Sequence, residues 1–126
     1  MYMEYLKSAF NYTGQKYPIL EQIYNKFPKK EEVDLFVDLF CGGGSVFVNC
    51  NYENIIANDI IKPLINFYNE ILKVDNFNLF KDNISKFIIE KDDQEGFIKM
   101  RSEFNEKGSV DPYQFFCLVV SIKNFD

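Results

Sequence analysis

The hydrophobic pattern changes character part-way along the chain. Val33 to Phe40 is almost continuously apolar, with Asp34 and Asp38 as its only charges. Its length, its valines and its flanking breakers predict a buried strand. Cys41-Gly42-Gly43-Gly44 follows at once, and Ser45 to Cys50 reads as the first turns of a short helix. Ile55 to Ala57 predicts a second small strand, ending at Asn58-Asp59. Between Lys62 and Val74, Pro63 near the start and apolar Leu64, Ile65, Phe67, Tyr68, Ile71 and Leu72 predict an amphipathic helix. Ahead of the first strand, Ile19, Leu20, Ile23, Tyr24 and Phe27 have helical spacing over Pro18 to Phe27, which Pro28 and the run Lys29 to Glu32 break. Beyond Asp75 the pattern turns helical: Phe77 to Ile89, Gln94 to Phe104 and Pro112 to Ile122, with Gly108 between the last two. Strand, glycine turn, helix, strand, helix and then a helical region is the order of an α/β unit with a helical continuation.

Composition sharpens this. The 126 residues, 47% hydrophobic and 26% charged, have a globular balance. A net charge of -5 argues against a free-standing nucleic-acid binder. The charge is uneven, however. From Lys7 to Lys30, five lysines (Lys7, Lys16, Lys26, Lys29 and Lys30) face Glu21 alone, and acids gather between Glu90 and Glu106, where a solvated helix face is expected. Lysines of that kind more often face solvent than phosphate. Three cysteines (Cys41, Cys50 and Cys117), no Cys-x-x-Cys pair and no histidine argue against a zinc site and for a reducing, cytoplasmic setting. The lack of histidine also removes the commonest general base. Apolar runs such as Phe115 to Ile122 are too short to span a bilayer, so no membrane association is expected.

The strongest local signal is Asp38-Leu39-Phe40-Cys41-Gly42-Gly43-Gly44-Ser45. Glycines between a strand and a helix let the backbone turn tightly and approach a ligand closely. A helix start offers N–H groups to an anion. Asp59, at the end of the next strand, has about the spacing of a carboxylate that grips ribose hydroxyls. The turn lacks the Gly-Lys-Ser/Thr of an ATP loop, and Phe47 stands where a dinucleotide fingerprint needs its third glycine. S-adenosylmethionine fits better. Asp38 suits its ammonium, the turn amides and helix start suit its carboxylate, and Asp59 suits its diol. The faces of Tyr12 or Phe40 suit its sulfonium through cation–π attraction. The same residues would equally make an ordinary tight turn, with Asp59 as a helix N-cap.

Three segments in register resemble the Dam-like DNA adenine-N6 methyltransferases. Ala9-Phe10-Asn11-Tyr12-Thr13-Gly14-Gln15-Lys16-Tyr17 resembles that family's N-terminal signature. Phe36 to Phe47 resembles its main cofactor loop, and Ala57-Asn58-Asp59-Ile60 with Pro63-Leu64-Ile65 and Tyr68-Asn69 resembles its ribose-binding strand end and following helix. The match covers Phe10 to Asn69 and continues weakly to the end through Pro112 to Phe125. The resemblance implies an incomplete Rossmann-like methyltransferase core in residues 1–75 and the start of a helical DNA-recognition region in residues 76–126. It implies S-adenosylmethionine as cofactor, no metal, and double-stranded DNA as the partner of the complete enzyme, in some cases within restriction-modification. Carried over, Tyr12 and Lys16 would touch the cofactor, Asp59 would hold its ribose, and Asp38 with Gly42, Gly43 and Gly44 would line its methionine end. Two departures stand out. The family often has tryptophan at the place of Tyr12, and a second glycine at the place of Gln15, which therefore needs a φ that a side chain tolerates.

The family's catalytic Asp-Pro-Pro-Tyr, which holds the flipped adenine, does not occur in these residues. Asp111-Pro112-Tyr113 is a poor substitute: no apolar strand precedes it, a helical pattern follows, and one proline is missing. An N-cap at Asp111 with Pro112 in the first turn is the better reading. A truncated methyltransferase, inactive by itself and prone to self-association through an uncovered sheet, is therefore expected. The alternative is a non-catalytic cofactor-binding remnant, or one half of an enzyme whose second half is separately encoded.

Overall fold

Phe36–Asp38 forms strand β1 and Ile55–Ala57 forms β2, and the two pair in parallel with Phe36 opposite Ile55, Val37 opposite Ile56 and Asp38 opposite Ala57. Between them lies the short helix α2, Ser45–Asn49. A parallel pair needs such a crossover, because a hairpin would reverse the second strand. The computed structural model describes residues 4–10, 14–73 and 77–125. By packing, the chain forms two compact units, Met1–Ile60 and Ile61–Asp126. The fold is thus mixed, with a small parallel sheet in the first unit and helices in the second.

In the first unit, Phe10 and Leu20 are the most deeply buried apolar side chains, joined by Cys41 and Tyr52. An aromatic cluster flanks β1: Phe36 lies 5.5 Å from Phe27 and 5.2 Å from Tyr52, and Tyr24 lies 5.8 Å from Phe27, centroid to centroid. The segment with helical spacing is shorter than its pattern. A 3-10 turn at Tyr17–Ile19, with Pro18 inside it, leads to helix α1 over Leu20–Tyr24 only.

The strand over Val33 to Phe40 is a correction in both length and burial. Only three of its residues hold the ladder, and Leu35, Val37 and Leu39 are half exposed, as is Ile56 opposite Val37. Alternation explains it: Phe36 and Asp38 point to the covered side, and Leu35, Val37 and Leu39 to the other. A parallel sheet is usually covered on both faces. Among the described residues, the aromatic cluster lies on the Phe36 side.

The second unit is built on α3, Lys62–Lys73, and α6, Pro112–Ser121, which pack against each other. Pro63, Leu64 and Phe67 are the buried residues of α3, and Phe67 stacks on Phe116 of α6 at 5.1 Å with the rings 7° from parallel. Helix α4, Phe77–Ser85, adds Phe80, 5.5 Å from Phe116. It ends earlier than its apolar pattern, where Ser85 Oγ donates to the carbonyl of Asp82. Helix α5, Gln94–Glu106, starts at the N-cap Asp93 and buries Phe97 alone, so the acidic stretch is a solvated face as expected. In packing terms α3 belongs with these helices, although the sequence pattern groups it with the strands before it. Its apolar side finds α6.

Asp111 is the N-cap of α6 and Pro112 its first residue. One carboxylate oxygen of Asp111 accepts from the N–H groups of both Tyr113 and Gln114 at 2.9 Å. Tyr113 in turn donates to Glu70 on α3 at 3.2 Å. Replacing Asp111 with alanine should lower the unfolding free energy of the helical unit by about 1 kcal/mol, while asparagine should nearly preserve it. Urea unfolding followed by far-UV circular dichroism checks this; an equal loss in both variants would count against the cap.

Candidate functional site

The glycine turn leaves β1 and is fastened to the end of β2. The N–H of Asn58 donates to the carbonyl of Asp38 and the N–H of Cys41 donates to the carbonyl of Asn58, both at 2.8 Å. The side chain of Asn58 donates to the carbonyl of Leu39 at 3.0 Å. Asp59 adds a fourth tie, its Oδ2 accepting from the N–H of Gly42 at 3.0 Å. Within the turn, the N–H of Gly44 donates to the carbonyl of Cys41 at 2.8 Å. Gly42 and Gly44 sit at φ 48° and 84°, left-handed values that a side chain would oppose. These two positions are where the run needs glycine for its conformation.

A second fastening comes from the lead segment. Asn49, at the end of α2, accepts from the N–H of Leu6 at 2.6 Å and donates to the carbonyl of Leu6 at 2.9 Å. Ser8 Oγ donates to the carbonyl of Gly43 and accepts from the N–H of Phe10. Tyr17 reaches back to the same segment, its hydroxyl 3.3 Å from the carbonyl of Tyr5 and its ring 5.8 Å from the Lys7 ammonium.

A half-open cavity of about 610 Å³ lies at this turn. Gly14, Gln15 and Lys16 line it from the lead segment, Asp38 and Phe40 from the end of β1, Gly42, Gly43 and Gly44 from the turn, and Asp59 from the end of β2. Seven of the eight residues singled out in the sequence thus line one cavity. The eighth, Tyr12, lies outside the described residues. Gly14 takes φ 75°, and no non-glycine residue among those described has positive φ, so Gln15 is accommodated without strain. Phe40 is 86% exposed, so its ring is open to a ligand on the cavity rim.

The cavity is acidic at its base. Burial raises the Asp38 carboxyl above its ordinary value, the N–H of Phe40 pulls it partly back, and the charge of Asp59 raises it again. Such a site favours a cation, which would relieve both the burial and the repulsion. Cys41, buried beside the turn, has its thiol pushed up to about 11, first by burial and then by Asp38 and Asp59. It is therefore protonated at neutral pH and serves as a packing residue, not a nucleophile. Among the described residues no group of three or more His, Cys, Asp or Glu is placed to hold a metal, and no helix is long and apolar enough to cross a membrane.

The sequence matches the D12 class N6 adenine-specific DNA methyltransferase profile over residues 12–122. The chain belongs to this family. It is 35% identical over 117 residues to the type II methyltransferase M.FokI of Planomicrobium okeanokoites, aligning 90% of this chain with 18% of that protein. It is 33% identical over 108 residues to a DNA adenine methylase of Serratia marcescens, aligning 86% of this chain with 38% of that one. Against the DNA adenine methylase of Escherichia coli K12 it is 31% identical over 119 residues, covering 94% and 41%. The chain thus spans less than half the length of each of these family relatives.

Four residues of the site escaped the sequence reading as contributors: Ser8, Ser45, Asn49 and Asn58. Ser45 lay inside the quoted motif but carried no role there. It is 3% exposed, lines the cavity, and its hydroxyl has no hydrogen-bond partner among the described residues. A buried unpaired hydroxyl typically costs about 1–3 kcal/mol. Ser45→Ala should therefore stabilise the ligand-free chain, raising its thermal midpoint by a few degrees. A lowered midpoint would mean that the hydroxyl holds the turn together.

Proposed function

We propose that this chain provides the S-adenosylmethionine site of a DNA adenine-N6 methyltransferase, built on a Rossmann-like core of which β1, α2 and β2 are the first part. The observation that carries the reading is the convergence of Lys16, Asp38, Gly42 to Gly44 and Asp59 on one cavity, in a chain of this family. The cavity's size falls within the range of small-molecule sites. Its donor set matches the cofactor part by part. Asp38 would take the ammonium, and Asp59, already held by Gly42, would present its carboxylate to the ribose hydroxyls. Lys16 would approach from the lead segment, and Phe40 would offer its face to the sulfonium. Tyr12 belongs to the same proposal through its place in the family signature.

When bound, S-adenosylmethionine supplies an activated methyl group. The residues present would orient it and hold it still, which is where most of the assistance to a direct displacement lies. In the complete enzyme the acceptor would be adenine N6 in double-stranded DNA. In functional terms residues 1–75 would carry cofactor binding and residues 76–126 would open the DNA-recognition region.

Titration calorimetry with S-adenosylhomocysteine tests the reading. The chain should bind it, and Asp59→Ala should weaken binding tenfold or more, the loss expected for a charged hydrogen-bond partner. Heat at the level of dilution for the unaltered chain would refute it. Transfer of labelled methyl groups to plasmid DNA then separates binding from catalysis.

The pH dependence follows from Asp38. Its ionised form is the one that attracts the ammonium, so affinity should fall as the pH drops through its raised pKa. The fall should begin at a higher pH than an exposed aspartate would give. Asp38→Asn should weaken binding and flatten that profile. A parent profile flat down to the ordinary carboxylate range would contradict the assignment.

A further inference from the structure

The lead segment is bracketed at several points. Asn49 takes both backbone groups of Leu6, and its amide N–H₂ also donates to the carbonyl of Ser45 at 2.8 Å. Both ends of that side chain are thus engaged. Two residues on, Ser8 ties the segment to the carbonyl of Gly43 in the turn. Phe10 then anchors it with a side chain only 1% exposed. From the opposite side Tyr17, the neighbour of Lys16, reaches Tyr5 and Lys7. Leu6 itself is 65% exposed, so side-chain packing contributes little at that residue. Hydrogen bonds from α2 hold it instead.

Resting on the cofactor reading above, we propose that Asn49 is a positioning residue: through Leu6 it locks Tyr5 and its neighbours to α2, and Tyr17, bonded to the Tyr5 carbonyl, passes that hold to the adjacent Lys16 on the cavity lining. Asn49 is absent from the cavity lining, and Lys16 is part of it. The influence of Asn49 on a ligand is therefore indirect and runs through the segment that carries Lys16. Asp59, at the end of β2, is tied to the N–H of Gly42.

The design has a signature that a general loss of stability would lack. Losses at residues acting through one another do not multiply, whereas losses at independent residues do. With S-adenosylhomocysteine as the probe, Asn49→Ala and Lys16→Ala should each weaken binding about tenfold. The pair together should be less than about twofold worse than either alone, because the lysine is already misplaced once the bracket opens. Asp59→Ala should cost the same factor with or without Asn49. Asn49→Asp, which keeps the acceptor for the Leu6 N–H, should lie between alanine and the parent.

Hydrogen exchange reads the bracket without a ligand. In Asn49→Ala the amides of Leu6, Phe10 and Ile19 should exchange faster, while those of β1 should not. Multiplying losses at Asn49 and Lys16, or unchanged affinity in Asn49→Ala, would overturn the proposal and leave the cofactor site standing. Faster exchange confined to Leu6 would overturn it too, by reducing Asn49 to a local contact. Failure of the parent chain to bind the probe would overturn the cofactor reading and the ligand-positioning role with it.

Discussion

The site depends on how the glycine turn is tied to the end of β2. Three glycines in a row have no preferred shape of their own, and their freedom must be removed by something outside them. With Ser8 at Gly43, Asn58 and Asp59 remove it. They use two backbone groups and two side chains to fix the turn at Asp38, Leu39, Cys41 and Gly42. The parallel ladder is thereby extended past its last regular pair, and the turn is held above the strand ends, where open α/β sheets place their ligands.

This arrangement has an electrostatic consequence. Placing Asp59 beside the turn also places it near Asp38, which burial already disfavours as an anion. The cavity therefore carries a mild conflict between two carboxylates. A ligand carrying positive charge relieves it, and the proposed cofactor carries two such groups, an ammonium and a sulfonium. The Ser45 hydroxyl, which lines the same cavity and is unpaired among the described residues, is a second local cost. Binding sites commonly retain such tension, since a fully satisfied wall would gain little from a ligand.

The two packing units solve their burial problems differently. The helical unit closes around stacked phenylalanines and capped helix starts, with Asp93 and Asp111 each satisfying N–H groups at their helix N-termini. The first unit has little regular structure, and side-chain hydrogen bonds replace the missing ladder. Ser8, Asn49, Asn58 and the tyrosines Tyr24 and Tyr52 all reach backbone carbonyls, at Gly43, Leu6, Leu39, Val46 and Pro28 respectively. Its sheet face at Leu35, Val37, Leu39 and Ile56 stays open.

By itself the sequence determined the order of elements, the turn between strand and helix, the acid at the second strand's end, the cap at Asp111 and the family. These are local features: period, glycine spacing and the chemistry of neighbouring residues decide them within a few positions. Only the tertiary structure decided how short the strands are, which face of β1 is covered, and that α3 packs with α6. It alone decided that Asn49 and Asn58, ordinary polar residues in any pattern analysis, fasten the site. Their partners lie 43 and 19 positions away. A hydrogen bond across that distance leaves no mark on periodicity, because an asparagine that holds a backbone and one that faces water read alike until the chain is folded.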